Sequence, residues 1–133
     1  MLRIRYSPRE TDIEGTAEDL RHLRSQLLEL ALEAKGQITV MVDANYDPKP
    51  FDTALKLVTI SIGTGQTSVE VIDGLQLSVS ASPENLRRLA SFMVVPEEAQ
   101  PGWHSHYEYF AGNEFIMPNA EPLIFSLRRL TTA

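Results

Sequence analysis

The amino-acid sequence predicts an α+β fold in which a mostly antiparallel sheet carries two helices on one face. Two kinds of pattern support this fold class. Short stretches in which apolar and polar residues alternate, as in strands, are interrupted by two stretches in which apolar residues recur every three or four positions, as in amphipathic helices. The chain has 133 residues, enough for one core of two packed layers, so we expect one domain over residues 1–133. The predicted order of elements is β-α-β-β-β-β-α-β-β.

The first strand and the first helix are predicted from a change of period. Residues 2–6 alternate apolar side chains with arginines, which indicates a half-buried strand. From Thr16 onward, leucines and alanines recur on one helical face and predict a helix over residues 17–35. Thr16 is the predicted N-cap, and Gly36 is the predicted left-handed residue that ends the helix.

Two strands are predicted in the middle of the chain, over residues 37–43 and 53–62. Both segments are rich in β-branched residues, and a loop containing aspartate, asparagine and proline separates them. In the second segment the apolar residues change phase between Leu57 and Val58. This change indicates a bulge, or a strand that is covered on both faces.

A hairpin is predicted from residues 67–71 and 75–81, which flank an Asp-Gly pair. A two-residue turn would mix polar and apolar residues on each face of the hairpin. A three-residue loop of residues 72–74 instead pairs Val71 with Leu75, and it places the glycine where this turn requires a positive φ.

The second helix has clear boundaries in the sequence. Ser82 is the predicted N-cap, and Pro83 suits the first turn because its fixed φ is already helical. Pro96 cannot continue a helix, so we expect the helix to end near Val95. Alternation then predicts two last strands, over residues 103–110 and 122–128.

The composition restricts the possible classes of function. Lysine and arginine total 12 against 18 aspartate and glutamate residues, which gives a formal charge of −6. Such a surface repels phosphate backbones, so we expect no nucleic-acid partner. The sequence has no cysteine, which excludes thiolate chemistry and cysteine-based metal sites. It also shows no secretory signal and no apolar run of membrane-spanning length, so we expect a cytoplasmic protein without membrane contact.

One segment, residues 102–110, departs from ordinary α+β patterning. Period-two geometry sends His104, His106 and Glu108 to one face of the predicted strand and the aromatic residues to the other. Burying two imidazoles and a carboxylate costs free energy unless a complete polar network surrounds them. We therefore expect the aromatic face, with Trp103, Tyr107 and Tyr109, in the core. The histidine face is expected at the surface or in a shallow site on the open side of the sheet.

The histidine face has three interpretations: a protein-binding surface, a solvated polar face, or part of a metal site. His104 and Glu108 lie about 13 Å apart along a strand, whereas zinc bonds are near 2 Å, so all three side chains cannot readily hold one ion. His104 and His106 could form one edge of a metal-binding module or a metal-dependent hydrolase, with a third ligand from another strand. The sequence does not identify that ligand, and we expect no cofactor.

Covalent catalysis has little support in the sequence. Ser105 lies between two histidines but points away from both, and neither a nucleophile elbow nor a phosphate-binding loop is present. Asp43 and Asp47 flank a loop in which aspartates ordinarily form turns. We therefore expect a protein that is not an enzyme.

Residues 102–127 combine a strand of alternating histidines with an acidic residue, a Gly-Asn turn and a Pro-Leu-Ile strand. The residues that carry these motifs are Trp103 to Phe110, Gly112-Asn113, Ile116 and Glu121 to Ile124. This combination resembles the C-terminal signature of a small immunity-protein family from bacterial polymorphic toxin systems.

The resemblance implies a stoichiometric inhibitor that binds a toxin domain and blocks its active site or an exosite. Carried over by position, the partner-binding candidates are His104, His106, Glu108 and Asn113, with Glu114 beside them. The acidic charge agrees with a cationic toxin partner, because charge complementarity speeds encounter. The oligomeric state and the identity of the toxin are left open.

Overall fold

A computed structural model describes residues 1–128 and confirms the α+β fold class. The helices are α1 (Ala17–Glu33) and α2 (Pro83–Ser91). The strands are β1 (Arg3–Ser7), β2 (Glu10–Gly15), β3 (Gln37–Met41), β4 (Thr53–Ala54), β5 (Leu57–Ile62), β6 (Ser68–Ile72), β7 (Gln76–Ala81), β8 (His104–Tyr107) and β9 (Leu123–Leu127). Within this part of the chain, neither helix has the length and apolar character needed to cross a bilayer.

These strands form two sheets, where the sequence predicted one. The first sheet has the order β4-β1-β2-β9-β8 and the second has the order β3-β5-β7-β6. Neighbouring strands are antiparallel except for the pairs β2–β9 and β5–β7, which are parallel. Helix α1 packs against α2 and contacts β2 of the first sheet and β3 and β5 of the second. The helices therefore touch strands of both sheets and do not cover one face of a single sheet.

Helix α1 begins where the sequence predicts and ends earlier. The Thr16 side chain accepts a hydrogen bond from the Asp19 backbone N–H at 3.1 Å, and the Asp19 carboxylate accepts one from the Thr16 N–H in return. The left-handed residue at the C-terminus is Ala34, with φ 59°, so the prediction that Gly36 ends the helix is wrong. Ala31 is the last buried residue of the helix, and Ala34, the next residue of the predicted apolar stripe, is exposed, so packing does not hold another turn.

Helix α2 begins at its predicted cap, where the Ser82 side chain accepts a hydrogen bond from the Asn85 N–H at 3.2 Å. It ends at Ser91, four residues before the predicted end at Val95. The next backbone N–H groups bond three residues back, Phe92 to Leu89 and Met93 to Ala90. This tighter turn keeps Met93 in the core without a longer helix.

The predicted strand over residues 53–62 is two strands in different sheets. Strand β4 belongs to the first sheet and β5 to the second. The chain crosses between them at Leu55, which is fully buried and whose N–H bonds to the Ile4 carbonyl, and at Lys56, whose N–H bonds to the Leu75 carbonyl. This crossing is the physical reason for the change of apolar phase, so a bulge is not needed to explain it.

The β6–β7 hairpin has a three-residue loop, but the loop lies one residue later than predicted. Val71 pairs with Leu77, and Ile72 pairs with Gln76, so the predicted pair of Val71 with Leu75 is wrong. Asp73 and Gly74 both adopt positive φ, at 56° and 65°, as a type I′ turn requires. Because the register shifts by two positions, each side chain keeps its predicted face.

Candidate partner-binding site

Strand β8 lies at one edge of the first sheet, beside β9. His104 pairs with Ser126 and His106 pairs with Ile124. Both histidine side chains are exposed, and their rings meet edge to face with the centroids 5.1 Å apart. Glu108 is also exposed and lies just beyond the end of the strand. The three side chains thus lie at the surface, as the alternation predicts.

The opposite face of β8 points into the protein over a shorter length than predicted. Tyr107 is 2% exposed, and Trp103 is half-buried and packs against the core. Tyr109 is exposed, so its predicted place in the core is wrong. The strand ends at Tyr107, and the two-residue period that would turn Tyr109 inward ends with it.

Tyr107 is fixed by contacts on both sides of its ring. Its hydroxyl donates a hydrogen bond to Thr67 Oγ1 at 2.7 Å, and Thr67 is itself fully buried. Its ring meets that of Phe92 edge to face, with the centroids 5.0 Å apart. Burial raises the pKa of Tyr107 above its ordinary value, and the Thr67 hydrogen bond acts in the opposite direction. Tyr107 therefore anchors β8 to helix α2 and to the second sheet.

The metal hypothesis required a third ligand from a neighbouring strand. On β9 the residues beside the two histidines are Ser126 and Ile124, neither of which has an imidazole or carboxylate. Over residues 1–128 no group of three or more histidine, aspartate or glutamate side chains is placed to hold a metal ion. The structure therefore gives His104 and His106 no third ligand within its described part.

Two rows of side chains cross the outer face of the first sheet, from β8 to β1. The strand register places His104, Ser126, Glu14 and Arg3 in one row and His106, Ile124, Asp12 and Arg5 in the other. The histidines are thus the exposed end of a polar face that extends across four strands.

Asp12 is the centre of this polar face and is only 3% exposed. One carboxylate oxygen accepts a hydrogen bond from Arg5 Nε at 3.1 Å and another from Arg5 Nη2. The other oxygen accepts a hydrogen bond from Ser126 Oγ at 2.7 Å. Glu14 lies 3.5 Å from Arg5 and completes the ion-pair cluster. Both oxygens of the buried carboxylate are therefore satisfied, as a buried charge requires.

Sequence reasoning did not find this cluster because it predicted no strand between Tyr6 and Thr16. A signal was present on either side of a short turn. Two basic residues, Arg3 and Arg5, alternate with other residues in β1, and three acidic residues, Glu10, Asp12 and Glu14, do so in β2. Opposite charges that alternate on adjacent segments are typical of facing strands. The pairing of Arg5 with Asp12 was thus open to prediction, whereas the contact with Ser126 was not.

The loop between β3 and β4 covers the β1 end of the polar face. The guanidinium of Arg3 lies 4.6 Å from the centroid of the Tyr46 ring, and that of Arg5 lies 4.6 Å from the centroid of the Phe51 ring. Asp43 accepts a hydrogen bond from Arg3 Nε at 3.1 Å. These contacts leave the histidine end as the uncovered part of the face.

Asp43 makes the stability of the fold at this loop depend on pH. The backbone N–H of Asn45 holds the pKa of Asp43 below its ordinary value, and Arg3 lowers it further. Because the folded pKa is lowered, the carboxylate stabilises the fold above the unfolded pKa, and this contribution is lost as the pH falls through the folded value. We expect Asp43→Asn to unfold at lower urea concentration than the wild type at pH 7. The two midpoints should approach each other as the pH falls below the ordinary pKa of an aspartate, about 3.9, and through the lowered folded pKa; a constant gap would contradict this assignment.

Asn113 and Glu114 lie on the other side of β8, in the loop that follows it. Asn113 Oδ1 accepts a hydrogen bond from the Phe115 N–H at 2.8 Å, and the Asn113 N–H bonds to the Phe110 carbonyl at 3.0 Å. The Glu114 carbonyl accepts a hydrogen bond from Gln66 at 3.1 Å. The five predicted residues are thus not one group. His104 and His106 lie on the outer face of β8, Glu108 lies just beyond the end of the strand, and Asn113 and Glu114 lie in this loop, where Asn113 shapes the turn.

A cleft of about 260 Å³ opens between α2 and the same loop. It is termed the aromatic cleft and is lined chiefly by Arg88, Phe92, Tyr107, Phe110, Asn113 and Phe115. The Arg88 guanidinium lies 3.8 Å from the centroid of the Phe115 ring. Sequence reasoning did not identify the cleft, because its lining comes from a helix, a strand end and a loop that meet only in the folded chain.

Comparison with known proteins shows the family to which this chain belongs. No curated protein and no solved structure gives a significant match to the chain. A family model described as Immunity protein 32 matches residues 10–50 and 76–127. The match includes β8, the loop after it and β9, which carry the resemblance seen in the sequence. It also covers β2, both helices, β3 and β7. Because it spans more than half of the chain, the protein belongs to the Immunity protein 32 family.

Proposed function

We propose that this protein neutralises a bacterial toxin domain by binding it directly and stoichiometrically. The family match over residues 10–50 and 76–127 is the observation that carries this proposal, because immunity proteins act on toxins. The exposure of His104 and His106 supports it, since polar side chains at the surface are accessible to a partner.

The edge of β8 is the proposed contact surface. The Leu127 N–H donates to the Trp103 carbonyl at 2.9 Å, so the backbone groups of odd-numbered residues in this strand face β9. In an antiparallel pair the intervening residues point the opposite way, so the N–H and C=O groups of His104 and His106 face the free edge. An exposed edge can pair with an extended segment of a partner, and the adjacent side chains then supply specificity.

The edge of β6 provides a contrast, because it is occupied by the protein's own chain. The segment after Glu114 runs alongside it: the Thr67 N–H bonds to the Phe115 carbonyl, the Met117 N–H bonds to the Thr67 carbonyl, and the Glu121 N–H bonds to the Val69 carbonyl. The same loop thus covers one edge and leaves β8 open. This difference supports β8, and not β6, as an edge that a partner can use.

Co-expression with the toxin domain encoded beside this gene tests the proposal. We expect a complex that survives gel filtration and growth of cells that the toxin alone would kill. Replacing His104, His106 and Glu108 together by Ser, Thr and Gln should weaken binding at least tenfold, because exposed anchors at an interface carry much of the binding energy. The fold should persist, since surface changes usually stay within about 0.5 kcal/mol each.

A matched control lies at the edge of the second sheet. Gln37 and Thr39 are exposed residues of β3, and replacing both by serine changes an edge strand without touching β8. We expect this variant to bind the toxin domain as the wild type does. Equal binding by the triple variant would exclude β8 as the contact surface, and failure of the wild type to form any complex would overturn the proposed function itself.

A further inference from the structure

The exposed phenylalanines of the described chain are concentrated at one place. Phe92, Phe110 and Phe115 are 39%, 65% and 40% exposed, and all three line the aromatic cleft. Tyr109, which precedes Phe110, and Val94, two residues after Phe92, are also exposed. Large apolar side chains that cluster at the surface mark interaction sites, whereas scattered ones do not.

The size of the cleft restricts what can enter it. Its volume of about 260 Å³ is below the range of roughly 300–1,000 Å³ that is usual for small-molecule sites, and it suits one large side chain. Its floor is preformed, because Tyr107 is held by the Thr67 hydroxyl and by the ring of Phe92. A rigid aromatic pocket of this kind is typical of sites that receive a single anchor residue of a protein partner.

The charges around the cleft indicate the kind of partner. Glu108 and Glu114 are exposed, lie next in sequence to cleft residues, and have no ion-pair partner within residues 1–128. The cation in the cleft, Arg88, is already paired with Glu84 at 2.8 Å and lies against the Phe115 ring. The chain next to the cleft lining therefore carries unpaired negative charge at Glu108 and Glu114, and these two residues are termed the rim of the cleft. The formal charge of the whole protein is −6.

We propose that the aromatic cleft binds one large apolar side chain from a cationic face of the toxin domain. This inference rests on the proposed function and adds a second contact to the edge of β8. Tyr107 connects the two surfaces, since it is the last residue of β8 and part of the cleft. A partner segment that follows the edge of β8 would therefore lead toward the cleft, with its basic residues beside Glu108 and Glu114.

Phe110→Ser tests the anchor. Because Phe110 is 65% exposed, the variant should keep the melting temperature of the wild type. Titration calorimetry with a catalytically inactive toxin domain, the one encoded beside this gene, should show a Kd at least tenfold higher than for the wild type. The matched control is Leu32→Ser, which removes an 85% exposed apolar side chain from helix α1 and should leave Kd unchanged within twofold.

Glu114→Lys tests the charge of the rim, with Glu33→Lys at the C-terminus of α1 as a control of equal charge change. The first variant should slow association several-fold more than the second at low salt, and the difference should shrink as salt is raised.

If the wild type binds the toxin domain and Phe110→Ser binds equally well, the cleft is not the anchor site and the proposed function stands. If the wild type does not bind, both fail. A wild-type dimer that Phe110→Ser abolishes in sedimentation would show that a second copy of the chain occupies the cleft, and would overturn the inference.

Discussion

Replacing Asp12 by alanine is expected to lower the free energy of unfolding by about 3–5 kcal/mol, the usual cost of removing one partner of a buried ion pair. The Asp12 side chain is 4% exposed and that of Arg5 is 23% exposed. Without the carboxylate, the Arg5 guanidinium keeps Glu14 at 3.5 Å as its ion-pair partner and the Phe51 ring beside it, and the Ser126 hydroxyl loses its acceptor. For a chain of this length the melting temperature should fall by roughly 10–20 °C. Urea unfolding and thermal melting measure both quantities.

Two further variants distinguish the stability effect of the buried ion pair from that of an ordinary surface ion pair. Replacing Arg5 and Asp12 together by methionine and leucine should cost less than Asp12→Ala alone, because the guanidinium is removed together with its buried partner and only the partly exposed Glu14 loses an ion pair. Glu84→Gln breaks the exposed pair with Arg88 one helical turn away and should cost less than about 0.5 kcal/mol. An Asp12→Ala variant as stable as Glu84→Gln would show that the cluster does not hold β1, β2 and β9 together.

The start of each helix was predictable because its cause is local. Thr16 and Ser82 each accept a hydrogen bond from a backbone N–H three residues later, so the cap and the group it satisfies lie in one short segment. The ends were predicted less well. Gly36 is the usual kind of residue at such a position, but α1 ends two residues earlier because its packing against the core has already ended.

Strand β2 was missed because its burial is not periodic. Thr11, Asp12 and Ile13 are all buried, and Ile13 is the only large apolar residue of the strand, so its alternating acidic residues are not separated by a row of apolar ones. An aspartate in this position is tolerated only because Arg5 and Ser126 satisfy it, and Ser126 is 114 residues away in sequence. The parallel pairing of β2 with β9 likewise depends on contacts that no local pattern encodes.

The candidate site was also predictable only in part. Alternation and the cost of burying imidazoles placed His104 and His106 at the surface from the sequence alone. The sequence could not show that the strand ends at Tyr107, that it is an edge strand, or that Asn113 lies on the side of the aromatic cleft. Each of these facts depends on how the loop after β8 reaches across to β6.

Tyr107 holds together strand β8, helix α2 and the loop after β8. Its replacement by alanine should lower the free energy of unfolding by about 3–5 kcal/mol, as expected for a large buried aromatic side chain. Tyr107→Phe keeps the ring contact with Phe92 but leaves the buried Thr67 hydroxyl without its partner, so it should cost about 1–3 kcal/mol. Adding Thr67→Val to Tyr107→Phe should recover part of this loss, because both polar groups of the pair are then gone. The neighbouring Tyr109→Ala is the control and should stay within about 0.5 kcal/mol, since Tyr109 is exposed. If Tyr109→Ala destabilised the protein as much as Tyr107→Ala, the core face of this segment would extend past the end of β8, and the rim of the aromatic cleft would be part of the core.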